Sequence, residues 1–273
     1  MELHDNRTWL KAELSEVEAY ECPAGEITVV CLGKPEEGRV NEDSAAFFYL
    51  GTDTVVLAVA DGMGGGAKGE VASKIVIDTI KGALANLPED SSHAGTRSAL
   101  IEAIEIANQK VIDLGVGAGS TVALALVNPR EFSTIHAGDS IAMVVGQKGK
   151  IKVQTVAHSP VGYAHEAGML DNEQALFHPE RHVVSNMVGM EALRVEVGLK
   201  QSFNPRDTLV LGTDGLFDNL SIAEIVDMIR TGPLEESAHE MAQRARQRME
   251  HPTADEPSKP DDMVFLLYRP APE

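Results

Sequence analysis

Acidic residues recur at the ends of apolar segments and in glycine-bearing turns of this sequence. Asp61 follows the apolar run 54–60 and precedes a glycine, and Asp139 and Asp214 also adjoin glycines. One such aspartate usually bonds its own backbone or caps the next helix. Several of them can form a single site if the strand ends that carry them lie side by side. The acidic residues at such positions are Glu42, Asp43, Asp61, Asp139, Asp214, Asp261 and Asp262.

A cluster of these carboxylates would require cations. Two carboxylates about 4 Å apart repel each other by roughly 4 kcal/mol at an effective dielectric near 20. Oxygen ligands without neighbouring cysteine or paired histidine favour Mg²⁺ or Mn²⁺ over zinc, and the 9 His and 2 Cys show no zinc-site spacing. Two such ions can lower the pKa of a bound water and bind the oxygens of a phosphate. The pattern therefore predicts a divalent-metal site for phosphate chemistry.

The composition narrows the class of partner. The formal net charge of -19 argues against nucleic-acid binding, which needs clustered Lys and Arg. A negative protein that acts on phosphate needs local positive charge, which bound cations would supply. No apolar run reaches the roughly 18 residues of a membrane span, and the polar N-terminus does not resemble a secretory signal. With only 2 cysteines, a reducing cytoplasm is the expected location.

Blocks of strands and helices must position these acidic residues. Apolar, β-branched runs predict strands at 27–32, 45–50, 54–60, 121–127, 133–136, 142–145, 150–156, 193–197, 208–211 and 264–268. Helical spacing of apolar residues predicts helices at about 71–87, 97–114, 223–230 and 234–249. Trp9 and its neighbours predict an N-terminal helix or an edge segment. Because strand runs and helix pairs come in blocks, the sequence predicts an α+β fold.

The glycine-rich segment 62–67 is compatible with a different class of site. Gly62 to Ala67 matches the G-x-G-x-x-A pattern of dinucleotide-binding proteins. Such a site needs a parallel strand after the helix, whereas this sequence predicts a second helix. The P-loop pattern also fails, because Gly69 stands where a Ser or Thr would hold Mg²⁺. Both nucleotide-binding interpretations are therefore disfavoured.

Six motifs in order resemble the metal-dependent (type 2C) family of serine/threonine protein phosphatases, and in particular its bacterial members. The resemblance extends over about 26–268, and the segment 166–184 is similar to the flap subdomain of bacterial members. The motifs are Asn41-Glu42-Asp43-Ser44, Val59-Ala60-Asp61-Gly62-Met63-Gly64-Gly65 with Gly69-Glu70-Val71-Ala72-Ser73, Gly119-Ser120-Thr121, His136-Ala137-Gly138-Asp139-Ser140, Thr213-Asp214-Gly215-Leu216-Phe217-Asp218 and Asp261-Asp262-Met263-Val264.

The resemblance implies a central β-sandwich flanked by antiparallel helix pairs, in one domain over 1–273 with a flap inserted at about 159–192. It implies hydrolysis of phosphoserine and phosphothreonine in proteins by a metal-activated water, with no phosphoenzyme. The implied centre holds two Mn²⁺ or Mg²⁺ ions, with a third as in bacterial relatives. Asp61, Asp214 and Asp261 would bind the first ion, Asp61, the Gly62 carbonyl, Glu42 and Asp43 the second, and Asp139 with Asp214 the third.

Four positions depart from the family pattern. Met63 replaces the histidine proposed as general acid in animal members, as it does in bacterial relatives. The family's phosphate-binding arginine lies four residues before the glutamate, where this chain has Gly38, and Arg39 is the candidate for that role. Asp262 replaces the usual asparagine, and its extra charge would tighten metal binding or repel phosphate. Ala157 stands where the family has an aspartate.

The core ligands Asp61, Asp214 and Asp261 are all present, which favours an active enzyme. The alternative is a catalytically weak or inert member of the family that binds a signalling partner. The expected substrates are phosphorylated proteins, with a serine/threonine kinase or a regulatory protein as a further partner, and the chain is expected to be a monomer. Mn²⁺-dependent hydrolysis of a phosphate ester distinguishes the two hypotheses.

Overall fold

The computed structural model describes residues 6–64, 68–88 and 91–271, so residues 65–67 of the glycine-rich segment lie outside the described residues. The strands are β1 Arg7–Leu10, β2 Glu18–Cys22, β3 Gly25–Leu32, β4 Ser44–Leu50, β5 Thr54–Ala60, β6 Gly62–Met63, β7 Gly119–Ser120, β8 Val122–Val127, β9 Glu131–Ala137, β10 Ile141–Val145, β11 Ile151–Gln154, β12 Glu196–Val197, β13 Gln201–Ser202, β14 Thr208–Gly212 and β15 Met263–Pro270. The helices are α1 Gly69–Ala85, α2 His93–Ile112, α3 Pro160–Glu166, α4 Asn172–Leu176, α5 Asp214–Phe217, α6 Ile222–Ile229 and α7 Leu234–Glu250.

Two antiparallel sheets pack face to face. The strand order is β1-β4-β5-β8-β9-β12 in the first sheet, with β13 also pairing with β9, and β11-β10-β14-β15-β3-β2 in the second. Their facing sides form one apolar cluster, to which Phe47 and Leu57 contribute from the first sheet and Leu211 and Leu266 from the second. Strand β5 is buried on both faces, which is why its sequence is a continuous apolar run rather than an alternating pattern.

A helix pair covers the outer face of each sheet. Helices α1 and α2 bury Val76, Ile80 and Ile104 in one cluster with the first sheet. Helices α6 and α7 bury Ile225 and Met241 against the second. Within the described ranges, no helix is both long enough and apolar enough to cross a membrane.

The predicted α+β sandwich with flanking helix pairs is confirmed, but the N-terminal helix alternative is wrong. Trp9 lies in β1, an edge strand that pairs with β4. Its ring packs against Phe47 at a centroid distance of 5.5 Å and against Tyr20 at 6.0 Å. Its Nε1–H donates to Glu18 in β2, the edge strand of the second sheet. These contacts are with residues of other strands. The spacing of apolar residues near Trp9 therefore could not predict them.

A partly buried ion pair joins the two helices over the second sheet. Arg248 of α7 donates to the two carboxylate oxygens of Glu224 in α6, at 3.0 and 2.7 Å. Glu224 also accepts the backbone N–H of Ser221, which closes a capping box at the start of α6. Partial burial alone would raise the pKa of Glu224, but the hydrogen bonds from Arg248 and Ser221 lower it to about 2.

We expect Glu224→Gln to lower the free energy of unfolding at neutral pH by about 1–2 kcal/mol, because a charge-assisted pair is lost at a partly exposed position. The pKa of folded Glu224 lies below its usual value of 4.5, so this contribution is present above pH 4.5 and is lost as the pH falls towards 2. Urea unfolding of both proteins at a series of pH values measures the difference. A difference that does not shrink on acidification would contradict the prediction.

Candidate active site

Two of the predicted acidic residues lie at one edge of the first sheet. Asp43 precedes β4 and Asp61 follows β5. Strands β4 and β5 are antiparallel and pair Ser44 with Ala60, so the two aspartates leave the sheet side by side. Thr213 donates a 2.7 Å hydrogen bond from its Oγ1 to Asp43 Oδ2, and this bond connects the first sheet to the second.

Three further acidic residues reach the same edge from the second sheet and its connections. Asp214 begins α5 just after β14, and Asp261 lies two residues before β15, the strand with which β14 pairs. Asp139 lies in the turn between β9 and β10, where the chain passes from the first sheet to the second. The acidic edge, as we call the place where these five aspartates meet, therefore draws on both sheets.

The charges at the acidic edge act on one another. Burial, and then the carboxylates of Asp43, Asp214, Asp139 and Asp261, raise the pKa of Asp61 well above its usual range. Burial and neighbouring carboxylates likewise raise the pKa of Asp43 and of Asp214. The charge effects that act most strongly on Asp61 all come from carboxylates. An ionised Asp61 would therefore require a cation beside it.

Asp139 has a buried carboxylate oxygen that forms no hydrogen bond. The residue is 6% exposed, and its Oδ1 is buried without a hydrogen-bond partner. Burial, followed by the Asp218 carboxylate, raises the pKa of Asp139 to about 6, while Lys259 acts in the opposite direction. Buried polar atoms are nearly always hydrogen-bonded, so an unpaired carboxylate oxygen here points to a ligand or a water.

The Gly-Ser-Thr motif holds two of the aspartate-bearing loops together. The backbone N–H of Asp61 donates to Thr121 Oγ1 at 3.0 Å, and the N–H of Thr121 donates to the Asp61 carbonyl at 2.8 Å. Thr121 Oγ1 also lies 2.6 Å from Ser140 Oγ, next to Asp139. The short strands β6 and β7 extend this contact by pairing Gly62 with Ser120. The motif thus fixes Asp61 relative to Asp139.

Asp262 makes two hydrogen bonds to the backbone of a distant loop. Its Oδ1 accepts the backbone N–H of Lys34 at 2.7 Å, and its Oδ2 accepts that of Glu42 at 2.8 Å. The residue is buried, and both carboxylate oxygens are used by the loop that carries Glu42. An asparagine could accept only one of these two bonds through its single oxygen. The aspartate therefore anchors the 34–42 loop at both ends.

The Gly62 carbonyl, predicted to bind a metal, faces a position that only glycine can occupy. A Cβ at Gly69 would lie 2.4 Å from the Gly62 carbonyl oxygen and 2.9 Å from the carboxyl carbon of Glu42. The missing side chain leaves these two oxygen-bearing groups facing a shared space at the start of α1. Carboxylate and carbonyl oxygens are the ligands preferred by Mg²⁺ and Mn²⁺, so the residues at the acidic edge fit such ions.

We expect Gly69→Ala to weaken divalent-metal binding, because its methyl group would fill the space between the Gly62 carbonyl and Glu42. An effect on the order of 10- to 100-fold in metal affinity would match other changes around metal ligands. Calorimetric titration with Mn²⁺ measures this loss. Gly95→Ala is the matched control, because its Cβ would approach only Ser92 Oγ, at 3.5 Å. Equal affinities for all three proteins would contradict the prediction.

A histidine cluster near Asp139 was not predicted from the sequence. His136, His158 and Glu196 form the one group of three metal-binding side chains, among the described residues, whose ligand atoms all lie within 4.8 Å of one another. Within the same residues, no three carboxylates of the acidic edge come that close. His158 Nδ1 accepts the N–H of Gly138 at 3.2 Å, which places its proton on Nε2, facing Glu196. The cluster therefore holds the Gly138 turn and is a poor metal site.

Three basic side chains border or enter the acidic edge. Arg39, the predicted phosphate ligand, is 38% exposed and donates to Glu42 at 3.1 Å. Arg181 of the flap region donates to the Ser258 carbonyl and approaches Asp218 to 3.5 Å. Lys259 enters the edge itself and was not among the predicted site residues. Its only signal was a lysine two residues before Asp261 in an acidic segment.

The sandwich and its oxygen-lined acidic edge are those expected of a metal-dependent phosphatase. The chain belongs to the protein phosphatase 2C family, whose model matches residues 34–254. A Streptococcus pyogenes protein named for the 2C type of protein phosphatase is 32% identical over 218 residues, covering 76% of this chain and 86% of that protein. The serine/threonine phosphatase stp of Listeria welshimeri is 28% identical over 209 residues, 72% of this chain and 82% of that protein. These matches confirm the resemblance found in the motifs.

Solved structures show the same fold. The serine/threonine phosphatase Stp1 from Staphylococcus aureus superposes with a TM-score of 0.79 at 24% identity, covering 96% of this chain and 99% of that chain. The catalytic domain of the serine/threonine protein phosphatase PstP, solved with two manganese ions, superposes with a TM-score of 0.69 at 23% identity, covering 89% and 96%.

Proposed function

We propose that this protein hydrolyses phosphoserine and phosphothreonine in other proteins, using Mn²⁺ or Mg²⁺ ions held at the acidic edge. The observation that carries the proposal is the environment of Asp61, which is surrounded by carboxylates contributed by both sheets. Such a cluster is stable in its ionised form only with cations. Membership of the protein phosphatase 2C family supports the choice of reaction.

The proposed ligands follow from positions at the acidic edge. Asp61, Asp214 and Asp261 would hold one ion, and Asp61, the Gly62 carbonyl, Glu42 and Asp43 would hold the other. When bound, the ions would supply an activated water and would neutralise charge on the phosphate. Asp61 and Asp214 would hold their carboxylates ionised as ligands, and Thr213 would keep Asp43 in place through its hydrogen bond.

Arg39 is the proposed phosphate-binding residue. Its guanidinium group is exposed enough to meet a substrate, and its hydrogen bond to Glu42 holds it beside the acidic edge. Planar guanidinium donors suit phosphate oxygens. We expect Arg39→Gln to raise KM for a phosphopeptide by roughly tenfold while leaving Mn²⁺ affinity within about twofold, because one charged contact to phosphate is lost. An unchanged KM would show that Arg39 does not bind the phosphate group of the substrate.

A cleft beside the acidic edge offers a place for the protein substrate. Side chains from the flap region and from the edge line it, including Ser159, His165, Arg181, Asp139 and Asp218. We infer a single domain over 1–273, with residues 159–192 as the flap that borders the substrate. A cytoplasmic monomer that acts on a serine/threonine kinase or a regulatory protein remains the prediction for its biological setting.

Phosphate release from synthetic phosphopeptides tests the proposal. Metal-free protein should be inactive, and Mn²⁺ or Mg²⁺ should restore hydrolysis of phosphoserine and phosphothreonine peptides. A folded protein that binds Mn²⁺ but releases no phosphate from any peptide or chromogenic ester would instead support the inert binding module. Comparison of the phosphoproteome with and without the protein would then identify its substrates.

A further inference from the structure

Lys259 provides a positive charge inside the acidic edge. Its Nζ contacts the Asp214 carboxylate and lies 3.1 Å from a carboxylate oxygen of Asp218 and 3.1 Å from one of Asp261. The lysine side chain is 22% exposed, so its ammonium group is largely removed from water. An ammonium group shared by three carboxylates occupies the kind of position in which a metal cation would otherwise be expected.

Hydrogen bonds to the backbone of Lys259 hold the residue in this position. The fully buried Asn219 side chain accepts the N–H of Lys259 through Oδ1 at 2.8 Å and donates from Nδ2 to the Lys259 carbonyl at 2.8 Å. The same Nδ2 donates to the carbonyl of Gly215, next to Asp214. This double clamp fixes the start of the lysine side chain relative to the carboxylates that it meets.

Lys259 contacts carboxylates that come from the second sheet and its connections, and not Asp43 or Asp61 of the first sheet. On the side of the lysine, Asp139 has its unpaired buried oxygen, and Asp218 and Lys259 are among the charges that act on it most. On the other side, the strongest charge effects on Asp61 come from carboxylates alone. The ammonium group therefore offsets charge at Asp214, Asp218 and Asp261, while the charges of Asp61 and Asp43 are left to metal ions.

We propose that the Lys259 ammonium group takes the place of the third cation, so that this chain binds two divalent ions rather than three. The inference rests on the proposed function, because it concerns the same metal site. A third ion would need the oxygens of Asp139 and Asp214, and the ammonium group already contacts Oδ2 of Asp214 and of its neighbour Asp218. A divalent ion at the same oxygens as the ammonium group would be repelled strongly. The contacts to Asp214 and Asp261 are made through Oδ2, so Oδ1 of each carboxylate remains for the first ion. The proposal differs from the expectation, drawn from the family, that Asp139 and Asp214 bind a third metal.

Counting bound Mn²⁺ tests the inference. Metal-free protein is titrated with Mn²⁺ into the millimolar range, and free Mn²⁺ is followed by electron paramagnetic resonance. We expect two ions per chain for the wild-type protein and for Lys259→Arg, which keeps the charge. We expect three ions for Lys259→Met, which removes the charge but keeps an unbranched side chain. In Lys259→Met combined with Asp218→Asn, the count should return to two.

Thermal unfolding provides a readout that does not depend on activity. In the presence of a chelator, Lys259→Met should have a lower Tm than the wild-type protein, because three carboxylates lose their counter-charge. Added Mn²⁺ should then raise the Tm of Lys259→Met by more than it raises that of the wild type. Lys74→Met is the matched control, since Lys74 pairs with Asp78 on the exposed face of α1, and it should behave as the wild type does.

The outcomes separate this inference from the proposed function. Three ions in the wild-type protein would overturn the role of Lys259 and leave the proposed function intact, and this measurement needs no variant to fold. Two ions in a folded Lys259→Met protein would overturn it as well. A wild-type protein that binds no Mn²⁺ would overturn the proposed function and, with it, this inference.

Discussion

Replacing Asp61 by Asn is expected to reduce Mn²⁺-dependent phosphate release by about a thousandfold or more, equivalent to roughly 4 kcal/mol of transition-state stabilisation. The reason is that Asp61 would be the ligand common to both ions. The same change removes a carboxylate whose ionised form is destabilised by burial and by the neighbouring carboxylates, which together raise the pKa of Asp61. The metal-free variant should therefore be more stable than the metal-free wild type, with a higher Tm in chelator.

Activity is expected to fall while the Tm in chelator rises, and this combination makes the test specific. A variant that is inactive because it is misfolded would have a lower Tm, whereas loss of a metal ligand raises it. Asp53→Asn is the control, because Asp53 is exposed in the turn between β4 and β5 and should change neither quantity. Retention of near wild-type activity by Asp61→Asn would refute the proposed ligand set.

Gly215→Ala is expected to have the second largest effect, on folding. A Cβ at Gly215 would lie 1.9 Å from the carbonyl oxygen of Asp262 and 3.1 Å from the Cα of Met263. Both neighbours belong to the backbone, so α5 or the start of β15 would have to move. Overpacking of this kind costs about 3 kcal/mol or more when the backbone must shift. Because Asp214 begins the same helix, metal affinity should fall together with stability.

Chemical denaturation of Gly215→Ala and of Gly82→Ala provides the comparison. Gly82 lies in α1, and an added Cβ there would meet no atom within 4 Å. Alanine is preferred over glycine in a helix, so Gly82→Ala should stabilise the protein by roughly 0.5–1 kcal/mol. Equal stabilities of the two variants would show that the close approach at Gly215 is not a constraint.

Much of the acidic edge could be predicted because its signals are local. Asp61 follows an apolar strand and precedes a glycine, and Asp139 and Asp214 have similar contexts, so each strand end could be recognised within a few residues. The antiparallel order of β4 with β5 and of β14 with β15 then brings these ends together. The individual ligand assignments remain predictions that Mn²⁺ titration of variants can test.

The parts that escaped prediction depend on contacts between distant segments. Asp262 bonds to the backbone of Lys34 and Glu42, more than 200 positions earlier in the chain, and nothing in its own motif indicates those partners. Lys259 lies in a polar segment typical of a surface loop. Its place at the acidic edge depends on the hydrogen bonds between its backbone and the distant Asn219. The edge strand β1 was ambiguous for the same reason, since its ring contacts come from other strands.

The division of the ligand set between two sheets has a consequence for how the protein matures. The proposed ligands of the first ion come from both sheets, Asp61 from the first and Asp214 and Asp261 from the second, so a partly folded chain should have little affinity for that ion. Uptake of the first ion would then follow docking of the sheets rather than guide it. Bound ions would stabilise the folded sandwich and slow its unfolding, without increasing the rate at which it folds.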